Sequence, residues 1–277
     1  MKKIYVTMLV CVIILIGILV YFQVDRYMKA NSGDYDPVKD LETLKQLQTD
    51  GQEPPINTTD VFDETRTEQS TDTAEPEEIP EATLDFTKLW DTNVDICAWI
   101  EIAGTPVDYP VLNCPVGDDE RYIRTAINGQ YYIGGSLFVQ ERYSNRDFSS
   151  PVTFIYGHTM PDETLFGSLQ RTYSNEVTFE QCSDIKIYLP DRVEHYTVFA
   201  AVPFEMIHVP ATYDFSNNYW YESFFNRVRK IRHLSATMNE DRFPSVGDRV
   251  LVLSTCLNED STQRYLVMAV NRDDVKK

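Results

Sequence analysis

Basic side chains are in short supply in this chain: 25 Lys and Arg stand against 43 Asp and Glu, a formal net charge of −18 over 277 residues. The imbalance argues against nucleic acid as a partner, because phosphates would be repelled rather than neutralised. No basic patch with interleaved aromatics offsets it. A glycine-rich phosphate loop, a calcium-loop pattern, a CxxC zinc pattern and an internal repeat are also missing, so no cofactor and no metal is expected. Cysteine is sparse too. Cys11 lies in the first apolar run, which leaves Cys97, Cys114, Cys182 and Cys256. Four thiols could form two disulfides, but a domain rich in apolar strands does not need such staples. Cys97 and Cys182 read as small core or surface thiols.

Residues 4–22, "IYVTMLVCVIILIGILVYF", carry no charge and match the roughly 20 residues that cross a bilayer as a helix. Lys2 and Lys3 precede the run, which favours a cytoplasmic N-terminus. A cleaved signal peptide is the alternative, but its apolar segment usually spans only ~7–15 residues and ends at a small-x-small site. The expectation is a cytoplasmic stub at 1–3, a retained transmembrane anchor at 4–24 that contacts membrane lipid, and everything after it outside the cell. Val38, Leu41, Leu44 and Leu47 then recur at the spacing of one helix face, as a packed helix or a solvated stalk. Residues 50–83 are Pro-, Thr- and acid-rich with few large apolar side chains, which predicts an extended, disordered spacer and completes a linker over 25–83.

From about residue 84 the texture changes. "LDFTKLWDTNVDICAWIEI" predicts a short helix running into a strand. The runs "PVDYPVLN", "GGSLFVQ", "VTFIYGH", "DIKIYLP", "HYTVFAAV", "RVLVLSTC" and "RYLVMAV" follow, separated by Gly, Pro and Asp. This pattern predicts a mainly β domain over 84–277, a barrel or sandwich with short peripheral helices. A long interruption lies between Val202 and Val250. Within it, Phe224, Val228, Ile231 and Leu234 have the spacing of an amphipathic helix.

Three polar groups stand at strand ends. His158 follows "VTFIYG", Cys256 ends "RVLVLSTC", and Arg264 opens "RYLVMAV" eight residues later. A thiol is a strong nucleophile towards carbonyls. An imidazole can protonate a departing amine near neutral pH. A guanidinium offers fixed N–H donors where an oxyanion develops. Together they make an acyl-transfer set. Taken singly, each has a plainer reading: a buried strand cysteine, a turn histidine, and a hairpin-end charge pairing with Glu259 or Asp260. His195, His208 and His233 compete for the imidazole role.

The segment "FIYGHTMPDETLFGSL" resembles the histidine segment of sortases, membrane-anchored cysteine transpeptidases of Gram-positive bacteria. "LVLSTC" with "RYLVMA" resembles their cysteine and arginine strands, and "WIEIAGTPVDYPVL" and "GGSLF" fit the earlier strands. The resemblance covers roughly residues 84–271, and the long insertion before the cysteine strand is similar to class B. It implies a sortase-like β-barrel in which His158 is the general acid/base, Cys256 the nucleophile and Arg264 the oxyanion stabiliser, with Ser254 and Thr255 lining the substrate groove. It further implies that a C-terminal sorting motif of secreted proteins is cleaved through a Cys thioester and passed to an amine of a peptidoglycan precursor. A pilin-polymerising enzyme, a secreted cysteine protease and a non-catalytic surface scaffold are the alternatives. The chain departs from class B at "GDDERYI", where Asp119 stands about where relatives often carry Asn.

Overall fold

The computed structural model describes residues 37–49, 84–257, 260 and 262–272. The anchor expected at 4–24 and the spacer expected at 50–83 lie outside the described residues. Among the described residues, no helix is long and apolar enough to cross a membrane.

Nine strands are seen among the described residues: β1 (Ile96–Ile102), β2 (Asp108–Cys114), β3 (Leu137–Gln140), β4 (Val152–Tyr156), β5 (Asp184–Tyr188), β6 (Val193–Glu205), β7 (Thr237–Met238), β8 (Val250–Cys256) and β9 (Gln263–Asn271). Their order is β5-β1-β2-β3-β4-β8-β9-β6-β7, and β5 pairs with β6 as well as β1. That extra pairing closes eight strands into a barrel and removes the exposed edges an open sheet would carry. The two-residue β7 lies beside β6 further along, outside the closed ring. Most neighbours are antiparallel, but β2–β3 and β4–β8 run parallel. The second of these pairs brings the histidine strand beside the cysteine strand.

Burial on both faces explains why "VLVL" and "YLVMAV" read as continuous apolar runs. Leu251 and Leu253 of β8, and Tyr265, Val267 and Ala269 of β9, join residues from the other barrel strands in one interior core. Their neighbours Val250, Val252, Leu266, Met268 and Val270 face outward. There they are covered by the insertion between β6 and β8, chiefly helix α6 (Asn218–Val228) with Tyr221, Phe224, Phe225 and Val228. On another outer face, Leu44 from α1 (Pro37–Thr49) and Phe86 and Leu89 from α2 (Phe86–Thr92) pack with Trp99, Leu112 and Phe138. Helix α1 is therefore a packed element rather than a solvated stalk. Leu44 is 2% exposed, a burial that stabilises by about 1.5–3 kcal/mol. Short helices α3 (Leu169–Tyr173), α4 (Glu176–Gln181) and α5 (Val209–Thr212) complete the periphery.

Helix α6 is shorter than its apolar spacing predicts. The Asn217 side chain caps its start by accepting the Tyr219 N–H at 2.9 Å. After Val228 the chain turns, and Arg232 Nη1 donates to the carbonyls of Arg229 and Ile231 at 2.7 and 2.8 Å. These side-chain bonds take up acceptors that a continuing helix would use. Tyr265 Oη then holds the following segment through the Ser235 carbonyl at 3.1 Å. Leu234 consequently lies off the apolar face and is fully exposed.

Cys97, Cys114, Cys182 and Cys256 are all free thiols, the first three buried. Burial pushes the Cys97 thiol up to about 12 and the Cys114 thiol up to about 11, and it raises Cys182 as well. Since the thiolate is the reactive form, brief alkylation of the folded protein at about pH 8 should modify Cys256 and spare these three. Peptide mapping by mass spectrometry checks this.

Candidate active site

Cys256 ends β8 and Arg264 is the second residue of β9, paired directly across the hairpin ladder. Arg264 Nη1 donates to Cys256 Sγ at 3.2 Å. The Asp260 carboxylate is engaged instead by Thr262 and by Gln263 Nε2 at 3.0 Å. Arg264 therefore serves the thiol rather than a hairpin-end ion pair with Asp260.

His158 reaches the same rim through the parallel β4–β8 pair. Tyr156 is in register with Ser254, and the Gly157 N–H donates to the Ser254 carbonyl at 3.2 Å. His158 thus follows its strand by the same two residues by which Cys256 follows Ser254. One residue further, Thr159 Oγ1 donates to the Cys256 carbonyl at 2.8 Å and lies 2.6 Å from Thr255 Oγ1. The imidazole itself bonds to the Ile123 carbonyl through Nε2 at 2.8 Å. A carbonyl only accepts, so Nε2 carries a proton and Nδ1 is the nitrogen left for other work.

The Ile123 carbonyl lies close against the second glycine of "GGSLF". Gly135 has φ +59°, and a Cβ there would stand 2.3 Å from the Tyr122 oxygen and 2.5 Å from the Ile123 oxygen. Gly135→Ala combines a left-handed backbone with a backbone collision, each costing on the order of 1–3 kcal/mol. Thermal denaturation should show that loss. Turnover per folded molecule should also fall, because the carbonyl that orients His158 must move.

Side-chain alternation separates the two expected groove residues. Ser254 shares the outward face of Cys256 and lines a cleft of about 210 Å³ with Phe154, Tyr156, Met206, His208 and Arg264. Thr255 does not line this cleft. It is 2% exposed, points to the other side of the strand, and pins the histidine loop through Thr159. The Tyr156 hydroxyl is buried and has no hydrogen-bond partner among the described residues. Burial raises Tyr156 well above the usual phenol range, against the pull of the Arg264 charge.

Of the competing histidines, His208 belongs to this neighbourhood. Its ring is stacked on Tyr156, at 6.2 Å and 11° between planes, and tilted against Tyr143 at 4.8 Å. Burial lowers its pKa and the Arg264 charge acts in the same direction, while Asp119 and Glu120 oppose them. Asp119 carries its own ion pair, from Arg142 Nε to Oδ2 at 2.8 Å. His195 lies on β6 opposite Lys186, and the His233 Nδ1 accepts the Ser235 N–H at 3.1 Å. Neither lines the cleft. The sequence offered one signal for Tyr156: in "FIYGH" it shares the parity of His158.

No family model matches the chain. It is 27% identical to sortase B of Staphylococcus aureus over 186 residues, which cover 66% of this chain and 73% of that protein. To sortase B of Listeria monocytogenes it is 27% identical over 195 residues, covering 68% and 72%. The structure of a Staphylococcus aureus sortase B–substrate complex superposes with a TM-score of 0.58 at 26% identity, covering 67% of this chain and 83% of that one. A closed barrel with a free thiol at its rim and this likeness make the chain similar to the sortases in sequence and in fold. Within that class, the sequence and the fold are most like those of class B sortases among these relatives.

Proposed function

We propose that the chain joins secreted proteins to an envelope amine through a Cys256 thioester. The observation that carries this reading is the 3.2 Å bond from Arg264 to Cys256 Sγ, with a histidine two residues past the end of the neighbouring parallel strand. The thiol passes its proton to His158 Nδ1 as Sγ attacks the carbonyl carbon of a sorting motif near the C-terminus of the substrate. The carbonyl becomes an oxyanion, and the Arg264 guanidinium supplies fixed donors to it. The C–N bond then breaks, and His158 gives its proton to the leaving amine. An incoming amine of a peptidoglycan precursor attacks the thioester and loses its proton to His158, and the new amide forms as the thiol is released. Ser254 lines the groove beside the thiol. The apolar run at 4–24 holds the enzyme in the cell membrane, with the catalytic domain outside, where translocating protein and wall precursor meet.

A thiol-reactive peptide carrying a sorting motif tests the first step. It should modify wild-type protein at Cys256 and leave Cys256→Ala unlabelled. Equal labelling of the two would favour a non-catalytic scaffold. Added triglycine should divert product from hydrolysis to the amide, whereas no change in product would point to a protease.

A further inference from the structure

Two side chains at the cleft take no part in the steps above, yet both are built into it. The Tyr156 hydroxyl is buried without a partner among the described residues. The His208 ring lines the opening and is held by a relay that fixes which nitrogen it presents. Gln140 Nε2 donates to the Asp119 carbonyl at 3.1 Å, so Gln140 Oε1 must face the other way. There it lies 2.8 Å from His208 Nε2. An amide oxygen only accepts, so Nε2 bears the proton and the neutral ring offers Nδ1 as an acceptor. No hydrogen-bond partner of Nδ1 is seen among the described residues. The cleft therefore ends in an acceptor, an unpartnered hydroxyl and a guanidinium, between the apolar flanks of Phe154, Ile207, Val209 and Leu266.

We infer that His208 is a substrate-contacting residue whose uncharged ring accepts an N–H of the peptide in this cleft, with Tyr156 Oη making the adjoining polar contact. The inference rests on the sorting-peptide reading and adds a recognition element to it. Charge decides the condition for binding. A protonated ring has no acceptor left and places a second positive charge in the cleft beside Arg264. The groups facing His208 are Asp119 and Glu120, which favour protonation, and Arg264, which disfavours it. Tyr143 and Tyr156 pack against its faces. Because burial holds this imidazole below its ordinary value, the contact is complete at neutral pH and fades as pH falls through that lowered value.

The test uses the full-length chain in detergent and a fluorescence-quenched peptide selected from a randomised library for cleavage by the wild type. Wild-type KM should rise between about pH 7.5 and 5.5, by less than the roughly tenfold that an imidazole at its ordinary value would give. In His208→Gln, KM should stay within about twofold over that range, while kcat keeps the wild-type pH profile. Tyr156→Phe should raise KM at every pH and leave the slope intact. A wild-type KM that is flat with pH would overturn the inference, as would an unchanged slope in His208→Gln. If the wild type cleaves no peptide and captures none on Cys256, the transpeptidase reading of the site falls first, and this inference with it.

Discussion

Arg264→Lys should lower kcat by about 10²–10³-fold, the scale found when one oxyanion donor is removed. Lysine keeps the positive charge but replaces a planar fork by a single rotatable ammonium on a flexible stem. Arg264 bonds to Cys256 Sγ from the paired position on β9. Substitution leaves the backbone ladder untouched, so the barrel should fold. Because the donors act mainly on charge that develops in the transition state, kcat should fall far more than KM rises. Steady-state kinetics with a sorting-type peptide, beside alkylation of Cys256 by a small reagent, separates the two effects. Near-normal turnover in the lysine variant would remove arginine from the mechanism.

The second large effect is at the other end of the barrel. Glu194 is 2% exposed. Its Oε1 accepts from Arg192 Nε at 2.8 Å and Arg249 Nη1 at 2.6 Å. Its Oε2 accepts from Tyr196 Oη at 2.7 Å and Asn271 Nδ2 at 3.4 Å. These partners tie the starts of β6 and β8 to the end of β9. Glu194→Ala leaves the buried Tyr196 phenol without its carboxylate, while the part-exposed Arg192 and Arg249 keep their bonds to Asp191 and to the Asp147 and Phe148 carbonyls, a loss of about 1–3 kcal/mol. For a domain of this size, that is a fall of about 2–12 °C in Tm. The network lies at the opposite end of β8 from Cys256, on the order of 20 Å away at the rise of a strand. Turnover per folded molecule should therefore hold, which an assay normalised to titrated thiol would show. Glu194→Gln, which keeps the shape and one acceptor, should lose less.

Much of the site was legible because it is local. Cys256 and Arg264 lie eight residues apart around a polar turn, and a hairpin sets such residues opposite each other. The direct Cys256–Arg264 pairing follows from that spacing. The strand runs were legible from their β-branched and aromatic content, and their doubly apolar character anticipated burial on both faces. Alternation along "LSTC" also contained the separation of Ser254 from Thr255, although grouping both as groove residues passed over it. The length of α6 was less legible, because apolar spacing continues to Leu234 while backbone acceptors past Val228 are claimed by Arg232.

Sequence alone determined the strand content and the closeness of thiol and guanidinium, since each depends on neighbours along the chain. Tertiary structure alone decided that β4 lies parallel to β8, which sets His158 level with Cys256 across about a hundred residues. It also decided that Gln140, Tyr156 and His208 meet around one cleft. Parallel pairing and side-chain relays join segments that share no local signal. What selects them is closure of the barrel around one apolar interior, a property of the whole chain.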